Sequence, residues 1–220
     1  MKIVSLFSGA GGLDLGLIQA EHEIVWANDI DADAVETYKK NINSDIVLGD
    51  ISNISSTDIP NADVVVGGFP CQGFSQANML RFKNDPRNQL YIEFLRVIRD
   101  KQPMFFLAEN VRGILSLAGG RAINKIETDF AAVGYQVSKC LFNLADYGVP
   151  QTRQRVIIAG TRKDIALRNK FKFPKPTHSA VNKINSNGLI PWVTIRQSLD
   201  NIPEPDSRHN LINHIYSQYK

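Results

Sequence analysis

The chain has 220 residues and a net charge of +3, with 43% hydrophobic and 21% charged residues. This composition is typical of a globular protein with a substantial core, and no apolar run reaches the roughly 18 residues of a transmembrane helix. The mild basic excess is compatible with a nucleic-acid partner but does not establish one.

Apolar runs alternate with segments of helical period along most of the chain. Strands are predicted over residues 2–7, 23–28, 45–50, 62–68, 103–110, 135–150 and 155–161. Helices are predicted over residues 13–20, 31–42, 88–100 and 122–134. This alternation predicts an α/β fold with a doubly wound, mostly parallel sheet and helices on both faces. Residues 170–192 lack a period and indicate an irregular linker, and residues 194–203 indicate one short helix.

The loop "FSGAGGLDLGL", which begins at Phe7, joins the first strand to the first helix. Its glycines allow close approach of a ligand, and the helix start offers N–H donors. It departs from the dinucleotide fingerprint because Asp14 stands where the third glycine belongs. Asp14 is expected to repel a pyrophosphate and to pair with a cationic amino group, so an amino-acid-bearing nucleoside would suit. An ordinary strand-to-helix turn is the alternative.

Acidic residues also follow the next two predicted strands. An acid in the place of Asp29 takes ribose hydroxyls in nucleotide-binding sheets. Its neighbour Ile30 could pack on a base, and Asp50 could accept a hydrogen bond from an adenine amino group. Each acid alone would be a helix cap or a turn residue, but together they favour a binding site.

Cys71 lies in the loop "GGFPCQGFS", after the fourth strand. Cys140 is the only other cysteine and the four histidines are scattered, so neither a disulfide nor a zinc site is expected, in keeping with a reducing cytoplasm. The N-terminus lacks the apolar region and cleavage site of a signal peptide. Cys71 is either a buried small residue or a nucleophile, and its polar loop favours the nucleophile.

Further charged residues are predicted at the same sheet edge. Glu109 in "AENV" could be a general acid or merely a helix N-terminal acid. Gln151, Arg153 and Arg155 alternate, so a strand would place them on one face, where the arginines suit a phosphate or a carbonyl oxygen. Solvated arginines are the alternative.

The ordered motifs "FSGAGGLDLGL", "GDI", "GGFPCQGFS", "AENV" and "ADYGVPQTRQRVIIAG" closely resemble the cytosine carbon-5 DNA methyltransferases of bacterial restriction–modification systems. The resemblance covers residues 2–161 and implies a Rossmann-like methyltransferase domain. It also implies S-adenosylmethionine as cofactor, double-stranded DNA as partner and a cytoplasmic enzyme.

The resemblance assigns roles to individual positions. Cys71 matches the nucleophile, Glu109 the conserved acid, and Arg153 and Arg155 arginines near the target base. The cofactor-binding positions implied are Phe7, Ser8, Gly9, Gly11, Gly12, Leu13, Asp29, Ile30, Asp50, Ile51, Pro70 and Leu90. No metal is expected.

Complete members of this family continue into a target-recognition region and late motifs, one of the Gly-Asn-Ser/Ala-Val type, which these residues do not contain. We therefore expect a catalytic domain over residues 1–172, and a linker with the start of a recognition region over residues 173–220. A fragment, a truncated product and one subunit of a split enzyme with a second polypeptide all stay open, and each predicts little activity alone. A tRNA cytosine methyltransferase and an inactive cofactor- or DNA-binding module are the alternative functions.

Overall fold

The computed structural model describes residues 1–43, 45–70, 89–166, 171–180 and 188–204. Its main sheet has the order β3-β2-β1-β4-β5-β7-β6. The strands are β1 (Lys2–Leu6), β2 (Glu23–Asp29), β3 (Ile46–Leu48), β4 (Val64–Gly67), β5 (Phe105–Val111), β6 (Tyr135–Asn143) and β7 (Gln154–Arg162). The helices are α1 (Gly12–Gln19), α2 (Ala32–Asn41), α3 (Gln89–Lys101), α4 (Arg121–Ala132), α5 (Lys163–Ala166) and α6 (Ile195–Leu199).

The sheet is parallel from β3 to β5, and β7 runs antiparallel to β5. The chain winds outward from β1 through β2 to β3, then returns to place β4 on the other side of β1. The predicted doubly wound, mostly parallel sheet is therefore confirmed. The β1/β4 reversal marks the edge where such sheets bind ligands.

Among the described residues, two apolar clusters form the core, one on each face of the sheet. Alternate residues of β5 divide between them: Phe106 and Ala108 join the cluster that includes α3 and α4 side chains. Phe105 and Leu107 pack against the cluster that includes α2 side chains and Leu17 of α1. This two-residue alternation is the expected pattern of a strand covered on both sides.

The strand predicted over residues 135–150 is too long. β6 ends at Asn143, and a 3₁₀ turn, Leu144–Tyr147, follows it. Gly148 then adopts the left-handed conformation, with φ of 88°, so the backbone cannot continue as a strand. The loop that precedes β7 therefore contains "YGVPQTR".

The described chain divides into two compact units. The first comprises Met1–Phe142 with Gln154–Pro174, and the second comprises Asn143–Arg153 with the described residues from Lys175 onward. Within the second unit, β8 (His178–Ser179) pairs in parallel with β9 (Ile190–Pro191). Trp192 Nε1 also donates a hydrogen bond to Asp146 Oδ1 at 2.8 Å. The functional boundary at residue 172 stays a prediction.

Candidate active site

The glycine-rich loop after β1 is built from left-handed backbone conformations. Phe7, Gly9 and Gly11 have φ values of 55°, 55° and 89°. Such a φ costs a non-glycine residue energy, and strain of this kind concentrates at functional sites. The loop closes with a hydrogen bond from the Gly11 amide to the Ser8 carbonyl, 3.0 Å. α1 begins directly afterwards at Gly12, so its first N–H groups face the end of the loop.

Asp29 holds this loop against the end of β2. Its Oδ2 accepts the Gly9 amide at 2.7 Å, and its Oδ1 accepts the Asp31 amide at 2.9 Å. Each carboxylate oxygen keeps a second lone pair. The carboxylate that the sequence predicts for ribose hydroxyls is thus also a backbone anchor.

Asn28, which the sequence analysis missed, ties together the ends of three strands. Its buried Nδ2 donates to the carbonyls of Val47 at 3.0 Å and Gly49 at 2.9 Å. Its backbone N–H donates to Ser8 Oγ at 3.3 Å. A polar residue within the apolar run "EIVWAN" is the signal that could have identified it.

Three further predicted cofactor contacts lie after β2 and β3: Ile30, Asp50 and Ile51. Asp50 caps the 3₁₀ turn Ile51–Asn53, because its Oδ1 accepts the Ser52 amide at 2.9 Å. The Ile51 side chain is 2% exposed and belongs to the core, so only its backbone is available to a ligand. Ile30 is 68% exposed beside Asp29, as packing on a base would require.

Asp14 does not face a ligand, and the prediction that it pairs with a cationic amino group is wrong. Its carboxylate is fully buried and accepts hydrogen bonds from Ser5 Oγ and Tyr38 Oη, each at 2.7 Å. Burial raises the pKa of Asp14, and the hydrogen bonds from Tyr38 and Ser5 oppose this rise. The acid therefore links α1 to β1 and α2 beneath the glycine loop.

Gly67 and Phe69 lead into the cysteine loop. A Cβ on Gly67 would lie 2.8 Å from the Leu6 carbonyl, so the strand end fits only glycine. Phe69 is buried, and its ring centroid lies 5.5 Å from that of Tyr91. Its carbonyl accepts a hydrogen bond from Asn110 Nδ2 at 3.0 Å.

Pro70 is exposed at the end of this anchored stretch. Cys71 lies outside the described residues, and the half-exposed Cys140 on β6 has a free thiol. The described part of this loop ends at Pro70, the residue before the predicted nucleophile.

Glu109 and Arg155 form an ion pair across β5 and β7. Arg155 Nε lies 2.5 Å from Glu109 Oε1, and the two side chains are 19% and 33% exposed. The N–H of this buried Nε is not directed at an acceptor, so the pair is a charge contact without a well-aligned hydrogen bond. Glu109 Oε2 also lies 3.4 Å from where a Cβ would sit on Gly68.

Two of the three alternating residues lie outside the strand. β7 begins at Gln154, so Gln151 and Arg153 lie in the preceding turn, and both are exposed. Arg153 belongs to the second unit, whereas Arg155 belongs to the first. The predicted shared strand face is therefore wrong for Gln151 and Arg153.

The glycine loop has room for a ligand. Apart from the chain neighbours and the α1 backbone, no atom of the described residues lies within 4 Å of where a Cβ would sit on Gly9 or Gly12. Leu13, on the first turn of α1, is 40% exposed, and Leu90 on α3 packs partly buried against the core. An amino-acid-bearing nucleoside fits this arrangement. It would meet the open glycine backbone, the exposed start of α1 and the acids at the ends of two strands.

No group of three or more His, Cys, Asp or Glu residues among the described residues could hold a metal ion. No helix in the described part of the chain is long and apolar enough to cross a membrane.

The model of the C-5 cytosine-specific DNA methylase family matches residues 1–220. The chain belongs to this family. The resemblance drawn from the motifs of residues 2–161 is thus confirmed.

The chain is similar to curated relatives that are named type II methyltransferases. It is 46% identical over 213 residues to type II methyltransferase M.NgoFVII of Neisseria gonorrhoeae, covering 96% of this chain and 56% of the relative. It is 36% identical over 224 residues to M.AquIA of a Picosynechococcus strain, covering 92% of this chain and 89% of that protein. The chain spans about half the length of most of the curated relatives it matches.

A solved structure supports the same fold for this chain. An E. coli prophage protein named as a DNA modification methyltransferase matches with 31% identity and a TM-score of 0.73, over 93% of this chain and 56% of that one. The predicted methyltransferase type of Rossmann-like sheet is confirmed.

Proposed function

We propose that this chain forms the cofactor-binding and catalytic part of a DNA cytosine methyltransferase of a restriction–modification system. The reaction is methyl transfer from S-adenosylmethionine to carbon 5 of a cytosine flipped out of a specific DNA sequence. One observation carries the proposal. The edge of the sheet at the β1/β4 reversal has the open glycine loop with Asp29 on one side, and the Glu109–Arg155 pair on the other.

The proposed cofactor site uses backbone and acids in complementary ways. The N–H groups at the start of α1 would hold the ligand carboxylate, and the remaining lone pairs of Asp29 would accept the ribose hydroxyls. Ile30 would cover the base, and Asp50 would accept from its amino group. When bound, S-adenosylmethionine supplies a methyl group activated by its sulfonium.

Cys71 is the proposed nucleophile. Carbon 5 of free cytosine is a poor nucleophile. Attack of the Cys71 thiolate on carbon 6 forms a carbon–sulfur bond and makes carbon 5 electron-rich, so that it can be methylated. After carbon 5 is methylated, loss of its proton and cleavage of the carbon–sulfur bond restore the ring. The anchored Phe69 carbonyl would fix where this loop starts.

Glu109 would donate a proton or hydrogen bond to ring nitrogen 3 and so stabilise the charge that develops there. Arg155 would hold the Glu109 side chain through the charge contact described above. Arg153 would lie near the target base, as the resemblance implies.

The complete activity is proposed to need residues beyond these 220, because the Neisseria relative is nearly twice as long as the matched part. They would be supplied by the same polypeptide or by a second one that carries the recognition region.

Transfer of labelled methyl groups tests this proposal. The chain, supplemented with the recognition region of a relative, is expected to label cytosine in DNA and not in tRNA. Glu109→Gln should abolish most of the transfer. Glu127→Gln, which alters an ion pair with Lys139 elsewhere on the surface, should retain it. Label in tRNA alone would overturn the choice of DNA.

A further inference from the structure

Arg96 on α3 has an unusually complete set of hydrogen bonds for a surface helix arginine. Its Nε donates to Glu93 Oε2 at 2.6 Å and its Nη1 to Ser56 Oγ at 2.6 Å. Its Nη2 donates to the carbonyls of Ile51 and Ile54, each at 3.0 Å. Four of its five N–H donors are thus used. The side chain is only 21% exposed.

The two carbonyls belong to the turn that follows Asp50. The turn is closed by hydrogen bonds from the Asn53 amide to the Asp50 carbonyl, 3.0 Å, and from the Ile54 amide to the Ile51 carbonyl, 3.2 Å. Arg96 therefore binds the Ile51 and Ile54 carbonyls of a turn that is already closed by hydrogen bonds within the turn itself. The arginine fork suits this geometry because it is planar and rigid.

The residue before Asp50 is anchored independently. The Gly49 amide donates to the Asp29 carbonyl at 2.9 Å, and the Gly49 carbonyl accepts Asn28 Nδ2 at 2.9 Å. Asp50 thus lies between one residue fixed by β2 and one fixed by Arg96. The Ser52 amide donates a hydrogen bond to Asp50 Oδ1, and this contact sets the direction of the Asp50 carboxylate.

We propose that Arg96 is a positioning residue that aims the Asp50 carboxylate at the purine and so determines recognition of adenine. The inference rests on the proposed function, because that function assigns the adenine amino group to Asp50. Arg96 does not touch the ligand. It fixes the turn from outside, whereas Glu93 and Ser56 hold its guanidinium.

The test compares two ligands on the full chain by titration calorimetry. They are S-adenosylhomocysteine and its inosine analogue, in which an oxygen replaces the 6-amino group. The wild-type chain is expected to bind the adenosine form about tenfold more tightly, as one hydrogen bond to a charged group provides. Arg96→Gln should reduce this ratio to about twofold or less, since the acceptor is no longer aimed.

Arg99→Gln is the matched control. It makes the same chemical change one turn further along α3, where the side chain is 59% exposed and pairs with Asp100. It should retain the wild-type ratio. Glu93→Gln removes only the charge that orients Arg96 and should give an intermediate ratio. It keeps the test decisive if Arg96→Gln does not fold.

The outcomes separate this inference from the proposed function. If the wild type binds neither ligand, the proposed cofactor site is wrong. If it binds both but does not discriminate, or if Arg96→Gln and Glu93→Gln keep its full discrimination, the role of Arg96 is overturned. A fall in affinity for both ligands with an unchanged ratio would show that Arg96 is merely structural.

Discussion

Gly11→Ala should destabilise the chain because a side chain at this position would collide with Tyr38 and Ile42. A Cβ there would lie 2.8 Å from Ile42 Cγ1 and 2.9 Å from Tyr38 Cδ2. Both neighbours are packed side chains: Tyr38 is fully buried, and Ile42 packs against the same cluster. The new methyl group therefore has nowhere to go without moving α2.

The magnitude follows from two costs. A φ of 89° lies in the left-handed region, which costs an L-residue about 1–2 kcal/mol. Overpacking a tight core adds about 1–3 kcal/mol. Urea unfolding should therefore show a loss of roughly 2–5 kcal/mol in the free energy of unfolding.

Gly12→Ala supplies the control, since outside the α1 backbone and the chain neighbours its Cβ meets no described atom within 4 Å. In a helix such a change is neutral or stabilises by up to about 1 kcal/mol. It should nevertheless weaken binding of S-adenosylhomocysteine, because the methyl group enters the proposed ligand space. A Gly11→Ala variant within about 1 kcal/mol of wild type would refute the packing argument.

Three further predictions concern buried polar groups and the ion pair. Because the native state raises the pKa of Asp14, the stability of wild type relative to Asp14→Asn should be greatest below about pH 4. This stability difference should fall as pH rises through the raised pKa, by at most about 1.4 kcal/mol per pH unit. Urea unfolding of both proteins at several pH values measures it, and a difference that stays constant with pH would contradict the prediction. Asn110→Asp removes the donor to the Phe69 carbonyl and should cost about 1–3 kcal/mol in unfolding, with slower methyl transfer but unchanged cofactor affinity. Arg155→Gln should slow transfer by at least about tenfold through loss of the charge beside Glu109, and a rate equal to wild type would exclude a role for the pair.

Local patterns predicted most of the fold because they depend on near neighbours in sequence. The apolar runs give β1, β2, β4 and β5 to within two residues. Asp31, the first residue of the helix predicted over residues 31–42, caps α2 by accepting the Ala34 amide at 2.9 Å. The acids Asp29 and Asp50 follow strands that end at one sheet edge, so their proximity to the glycine loop follows from topology.

The roles of Asp14 and Arg96 could not be predicted because their partners are distant in sequence. Asp14 resembles a ligand-facing acid until Tyr38, 24 residues later, is seen to bind it. Arg96 looks like a solvated helix cation until its bonds to the Ile51 and Ile54 carbonyls, 45 and 42 residues away, are known. Tertiary contacts of this kind leave no periodic signal in the sequence.

The most direct test of the central claim is covalent trapping by DNA that contains 5-fluorocytosine in the target sequence. Fluorine at carbon 5 cannot leave as the proton does, so a Cys71 adduct formed in the presence of S-adenosylmethionine should survive denaturation. The chain, complemented with a recognition region, is predicted to give this adduct, and Cys71→Ser to give none. An adduct that persists in Cys71→Ser, or normal DNA methylation without any adduct from the wild type, would contradict the proposed mechanism.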